Sequence, residues 1–275
     1  MPFPTLKVGA ITIIPLSDGT VNWPVSEVWP SIAADQWEPV RAYLNPDGTH
    51  HFNLGSFLIR EDETWTLVDT GYGNRPGSDG GALYAELEKV NVRPDDIVRV
   101  LITHMHADHV GGCTVDVDGR PVPVFKNARH VIQRRDWAFF QSPETKSGRP
   151  HISLCADPIE EAGLLDLIEG SQSISAGIST LLTPGHTAGH QSILVSSGDE
   201  KAIILGDASH SAVQIIHPDW SPRFDANPEL STRTRVELFD RIEQEGLTIA
   251  AGHYPYPGFG GIVRVEGKRR WQPLN

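Results

Sequence analysis

Along most of this chain, apolar and polar positions alternate at the two periods that mark strands and helices. Near the start, KVGAITIIPL reads as a strand and SDG as the turn that ends it. Residues 20–50 break the rhythm, with Trp23, Trp29 and Trp37 interleaved with Pro24, Pro30 and Pro39. Such a segment is either a loop packed on the core or an apolar lid or dimer contact, since exposed aromatic patches mark binding surfaces. From Phe52 the pattern is regular. NLGSFLI and TWTLVDTG predict paired strands with REDE as a charged turn. Leu83, Leu87 and Val90 recur at helical spacing. IVRVLITH is a short apolar run closing on a histidine, and HVIQRRDW passes from strand into helix. Asp157-Pro158 is read as an N-cap followed by the first residue of another helix. ISTLLTPGH, AIILGD and LTIAAGH predict three more strands. Asn227-Pro228 opens the last long helix, with Val236, Phe239 and Ile242 on one face and Gly246 as its stop. Strands and helices alternate over 1–275 with no repeat or low-complexity linker, so one mixed α/β domain is expected.

Composition narrows the function. The 275 residues carry 23 Lys+Arg against 35 Asp+Glu, a net charge of −12. No nucleic-acid partner is expected, because a duplex-binding surface needs cations that replace phosphate counterions. No run approaches the ~20 apolar residues of a membrane span, so no membrane partner is expected either. The two cysteines, Cys113 and Cys155, fit a reducing compartment. The chain does not open on a basic segment followed by a long apolar core. The expected location is therefore the cytoplasm.

Histidine changes the picture more than charge does. There are twelve, and three fall in Thr103-His104-Met105-His106-Ala107-Asp108-His109. In an extended segment His104 and His106 point the same way. Asp108 and His109 follow on the turn into a short helix. Neutral imidazole is the commonest protein ligand for transition metals, and carboxylate can share or bridge them. Inside a core these four groups would each need a partner or pay desolvation. On a surface their clustering would be chance. The spacing favours a metal site over both. Other candidates share one habit. Asp69 in TLVDTG, His186 after TLLTPG, Asp207 after AIILG and His253 after LTIAAG each follow an apolar run. Singly, each reads as an ordinary hydrogen-bonded residue. If the strands lie side by side, their ends converge and the ligands converge with them.

Together, VDTG, HMHADHVGG, TPGHTAGH, LGDASH and AGHYPYPG resemble the metallo-β-lactamase superfamily, over about residues 52–275. The likeness is to its dinuclear-zinc hydrolase branch. GDASHSAVQ, RFDANPELSTRTR and GHYPYPGFGGIVRVEGKRRWQPLN are similar to methyl parathion hydrolase and the acyl-homoserine lactonases. The resemblance implies a four-layer αββα sandwich with a metal site at one edge of the sheets. It implies two divalent metal ions, zinc, one on His104, His106 and His186 and the other on Asp108, His109 and His253. Asp207 and a hydroxide would bridge them. Asp69 would orient a ligand loop, and His190 would be structural support. The implied activity is hydrolysis of a lactone or ester, with acyl-homoserine lactones leading. The alternatives are an organophosphate triesterase and, from another class, a redox-active diiron or metal-sensing protein.

Acyl-homoserine lactonases of this branch place Tyr three residues after the bridging Asp, where this chain has His210. That exchange moves the ordinary pKa from about 10 to about 6.5. His210 is accordingly the expected proton donor at the site mouth, with Asp108 the second catalytic residue. Trp23, Trp29, Trp137, Phe139, Tyr256 and Phe259 are candidates for an apolar pocket. A neutral small-molecule substrate is expected, because an acidic protein repels anions at long range. A second copy in a homodimer is the expected protein partner.

Overall fold

The computed structural model describes residues 3–74 and 80–274. Five strands come first: β1 (Leu6–Val8), β2 (Ile11–Pro24), β3 (Thr49–Glu61), β4 (Thr64–Val68) and β5 (Ile97–Leu101). A small hairpin, β6 (Thr114–Val117) with β7 (Arg120–Pro123), precedes β8 (Arg129–Gln133) and β9 (Leu165–Ile168). The last six are β10 (Ile178–Leu182), β11 (Gln191–Ser197), β12 (Glu200–Ile204), β13 (Thr248–Ala250), β14 (Phe259–Val265) and β15 (Lys268–Pro273). One sheet has the order β1-β2-β3-β4-β5-β8-β9 and the other β10-β11-β12-β13-β14-β15.

The apolar runs explain the layering. Ile13 pairs with Ile59, and both point between the two sheets. The next pair, Ile14 with Leu58, points outward. A sheet apolar on both faces must be covered twice. Inside, Ile13, Ile59, Val68 and Leu101 meet Ile193, Val195 and Ile204. Outside the first sheet, Leu58 and Leu67 pack with Leu83 and Leu87 of the helix Leu83–Lys89 and Phe140 of the helix Arg134–Gln141. Outside the second, Ile203 and Ile249 pack with Leu238, Phe239 and Ile242 of the helix Pro228–Glu245. The architecture is therefore the four-layer αββα sandwich that the motifs implied.

Strand direction then places the site. β4, β5 and β8 are parallel, as are β12 and β13. β10 runs the same way as β12, being two antiparallel steps away. The segments that follow β4, β5, β10, β12 and β13 carry Asp69, His104, His186, Asp207 and His253.

Some local expectations are corrected. SDG is no turn, because β2 runs through it with a register shift between Ser17 and Thr20. There Asp18 turns inward and accepts from the backbone N–H of Tyr72 and of Leu83, both at 2.9 Å. Asp157 is no N-cap. Helical turns over Ile152–Ala156 lead straight into it, and its carboxylate instead accepts from Gln141 and Lys146. In residues 20–50, Trp29 and Trp37 are buried in a satellite core with Phe52, Val213 and Trp220. That favours the packed loop over a lid. Asn227 does cap its helix, accepting from Leu230 N at 3.0 Å, and Gly246 ends it with a left-handed φ of 65°. Among the described residues no helix is long and apolar enough to cross a membrane.

Candidate metal centre

β5 ends at Leu101, and the chain stays extended through His104 and His106 before a short helix at Ala107–Val110. Met105 between them is buried in the outer core, which leaves the two imidazoles on the other side. Among the described residues three groups of donors form, the third, His186, His210 and Asp225, sharing His186 with the first. In the first, His104 Nε2 and His106 Nδ1 are 2.9 Å apart. His186 Nε2 is 3.1 Å from His104 Nε2 and 2.9 Å from His106 Nδ1. The second holds Asp108, His109 and His253, with Asp108 Oδ2 3.5 Å from His109 Nε2 and 3.6 Å from His253 Nε2. Asp207 stands between them. Its Oδ2 faces His186 Nε2 at 3.2 Å, and its Oδ1 faces His253 Nε2 at 3.2 Å and His109 Nε2 at 3.3 Å.

The outer atoms of these rings are tied down, which fixes what the inner atoms can do. His186 Nδ1–H donates to Asp225 Oδ1 at 3.0 Å, and His253 Nδ1–H donates to the Asn53 carbonyl at 2.9 Å. Asp69 accepts from Thr103 N, from Thr103 Oγ1 and from His109 Nδ1, at 2.7–2.8 Å. Thr103 Oγ1, having donated to Asp69, accepts from His104 Nδ1 at 3.1 Å. Burial and the His109 ring hold the His104 pKa well below its ordinary value. Each neutral ring has one N–H. With its N–H on Nδ1, His104 turns its Nε2 lone pair toward His186 Nε2 at 3.1 Å, as a ligand to a cation shared by the two rings would. A tetrahedral zinc with bonds of 2.0–2.1 Å has donor–donor edges of about 3.3 Å, close to these separations. His109 Nε2 and Asp207 Oδ1 are buried without a hydrogen-bond partner, as inward-facing ligands would be. The donor set fits two divalent ions.

The field points the same way. Burial opposes charge on His253, yet Asp207 and Asp108 outweigh it and push its pKa up to about 9. Burial opposes charge on Asp207 as well, and the surrounding imidazoles hold its pKa well below the carboxylate range. Ionised carboxylates in a buried pocket call for positive charge.

Several supports were not singled out in the sequence. Asp225 also accepts from Arg235, which is wholly buried and donates further to the carbonyls of Ala208 and Pro218 and to Ser231 Oγ. A signal was available: Ser231, Arg235, Leu238, Phe239 and Ile242 form one helical stripe, with a cation in its middle. His190, expected from the sequence as structural support, accepts at Nε2 from the backbone N–H of Asp207 at 2.8 Å, and its Nδ1 faces Thr183. Gly206 makes room for this, since a Cβ there would lie 2.6 Å from His190 Nε2.

A pocket of about 410 Å³ opens onto the donors. Of the six aromatic candidates only Trp23 lines it. Trp29 belongs to the satellite core, Trp137 to the outer core and Phe259 to the layer between the sheets. Phe139 and Tyr256 are exposed and outside the pocket. The walls are instead Val21, Phe52, Leu54, Tyr72 and Phe224, with Arg149 and Arg223. Val21/Trp23 and Phe52/Leu54 recur at strand spacing on paired strands, a signal that the proline-rich context obscured. His210 lines the pocket too, but it is only 2 % exposed and lies deep rather than at the mouth. Its Nε2 is 3.1 Å from Asp207 Oδ2, and its ring stacks on His253 at 5.6 Å. Burial pushes its pKa down.

A family model of the metallo-beta-lactamase superfamily matches residues 56–253. The chain belongs to this superfamily. It is similar to an N-acyl homoserine lactonase of Bacillus thuringiensis, 25 % identical over 237 residues, covering 78 % of this chain and 86 % of the relative. One from Bacillus cereus is 28 % identical over 234 residues, with the same coverage. Among solved structures, the hydrolase AbOPH of the beta-lactamase superfamily matches with a TM-score of 0.89 at 25 % identity, covering 99 % of this chain and 97 % of its own. AidC, a dizinc quorum-quenching lactonase solved with a product, N-hexanoyl-L-homoserine, matches with a TM-score of 0.84 at 23 % identity and the same coverage. As a metallo-beta-lactamase superfamily hydrolase, the chain has its donor cluster on strand-end loops at one edge of the sandwich, as in the sequence-based expectation.

Proposed function

We propose that this chain is a dinuclear zinc hydrolase of lactones or esters, with acyl-homoserine lactones the leading substrates. His104, His106 and His186 hold one ion, Asp108, His109 and His253 the other, and Asp207 is shared. The supporting observation is that the two oxygens of Asp207 face different donor groups, each 3.2 Å from a histidine nitrogen. The lactonase activity named for the relatives supports this substrate class. When bound, two such ions provide a water-derived nucleophile at neutral pH and polarise the oxygen of the group under attack.

The rest falls to the chain's own residues. Val21, Phe52, Leu54 and Phe224 hold the acyl arm by excluding water from it. The Asp108 carboxylate, which stays ionised, accepts a hydrogen bond from the attacking water and orients it. Its pKa is held low by the His109 and His253 rings against the effect of burial. His210, kept neutral by burial, offers an N–H to the leaving oxygen.

A substrate panel on zinc-loaded protein tests this. An acyl-homoserine lactone should give a higher kcat/KM than a simple alkyl ester or a paraoxon-type phosphotriester. Fastest turnover of the phosphotriester would move the assignment to organophosphate hydrolysis. Iron binding with oxygen consumption and no hydrolysis would replace it with a redox role.

A further inference from the structure

Two arginines line the pocket. Arg149 lies on the wall with His106 and His151, its guanidinium 5.6 Å from the centre of the Phe140 ring. Phe140 in turn packs edge-on against the His106 ring. Arg223 lies over Trp23 at 5.7 Å and Phe224 at 5.2 Å. Phe224 continues to the His210 ring at 6.0 Å. Stacking on an aromatic face holds a guanidinium in place while leaving its edge N–H groups free to donate.

What these arginines lack, among the described residues, is a carboxylate partner. Arg149 donates one bond, to the Thr145 carbonyl at 3.1 Å. Among the described residues neither arginine forms an ion pair with a carboxylate, whereas Arg99, Arg129, Arg235, Arg264 and Arg269 all do. The chain has a net charge of −12, so carboxylates are in ample supply elsewhere. Around the pocket the acids are Asp108 and Asp207, both within the donor cluster. Among the described residues, the walls beyond the cluster thus carry positive charge and no negative charge. The overall charge repels anions at a distance, but this pocket attracts one at contact range.

Resting on the hydrolase reading above, we propose that the substrate carries a carboxylate on the arm remote from the lactone or ester under attack, and that Arg149 and Arg223 bind it. The planar guanidinium edge matches a carboxylate in two-point contact. The uncharged scissile group sits at the metal centre, and the apolar wall takes the intervening chain.

Two esters of equal length separate this from a merely apolar pocket. One is 4-nitrophenyl hexanoate, and the other is the mono-4-nitrophenyl ester of adipic acid, which ends in a carboxylate. The zinc-loaded wild-type protein should prefer the half-ester in kcat/KM by about tenfold or more, the scale of one charged hydrogen bond. That preference should shrink as salt rises from about 50 mM to about 500 mM, because an exposed pair is screened. Arg149→Gln with Arg223→Gln should abolish it, and the Arg→Lys pair should retain part of it. A second readout needs no turnover. The corresponding anilides, which resist hydrolysis, are titrated while following tryptophan fluorescence, and the carboxylated one should bind about tenfold more weakly to the glutamine double variant than to wild type. Equal preference and equal binding in wild type and double variant would overturn the proposal. If neither ester is hydrolysed but the anilides keep the carboxylate preference, the hydrolase reading falls and the carboxylate site stands.

Discussion

Asp69 holds a left-handed backbone, φ 59°, that residues with a Cβ rarely adopt. Three donors converge on its carboxylate, and two of them come from Thr103, the residue before His104. It therefore positions both halves of the cluster, His104 through Thr103 and His109 directly. His210 presents the opposite case, a side chain with room to act. It reaches Asp207 Oδ2 at 3.1 Å and lines the pocket, so it can touch substrate as well. Replacing His210 with Ala should lower kcat on a lactone by about 10–100-fold, the worth of one positioned hydrogen bond to developing charge. Both ions should remain bound. A nitrophenolate leaves as a weak base and needs that N–H less, so an aryl phosphotriester should lose less. Equal losses on both substrates would limit His210 to supporting the loop, and loss of an ion would make it a ligand. The clustering of these donors was legible because histidines at i and i+2 on a strand end, and polar residues after apolar runs, have few other uses. His210's depth was not, because burial depends on what packs over it, here Phe224 and His253.

At the scale of elements, the runs that ended in a glycine or a charge were readable, and their parallel directions bring the ligand loops to one edge. Alternation alone did not reveal β9 or β11, since LDLI is only half-buried and QSILVSS mixes polar residues into a largely buried strand whose polar groups find partners. Ser192, for example, donates to the Leu205 carbonyl at 2.8 Å. SDG misled because turn residues also serve bulges, where a strand re-aims one side chain. The helix Pro228–Glu245 was readable from both of its ends. Its start is also joined to the site, as Ala226 and Asn227 donate backbone N–H groups to the carbonyls of His186 and Gly185. Asn227→Ala removes the capping acceptor and should cost about 1 kcal/mol, lowering the melting temperature by about 2–4 °C. An unchanged melting curve would mean that the loop contacts, not the cap, hold this end of the helix.

Across the whole molecule, charge is distributed unevenly. Acidic residues dominate the sequence, yet the pocket walls carry arginines and the buried cluster gathers carboxylates among imidazoles. Composition reports only the sum, so a neutral substrate was the natural expectation; the local field is set by which loops the fold brings together. That same assembly makes Asp207 the hinge of the account, one carboxylate serving two groups of donors. Elemental analysis of the zinc-loaded, dialysed chain beside its Asp207→Ala variant tests this most directly. The wild type should hold about two zinc ions per chain and the variant fewer than about one, with hydrolysis lost alongside. A wild-type chain that holds a single ion and is fully active would contradict it.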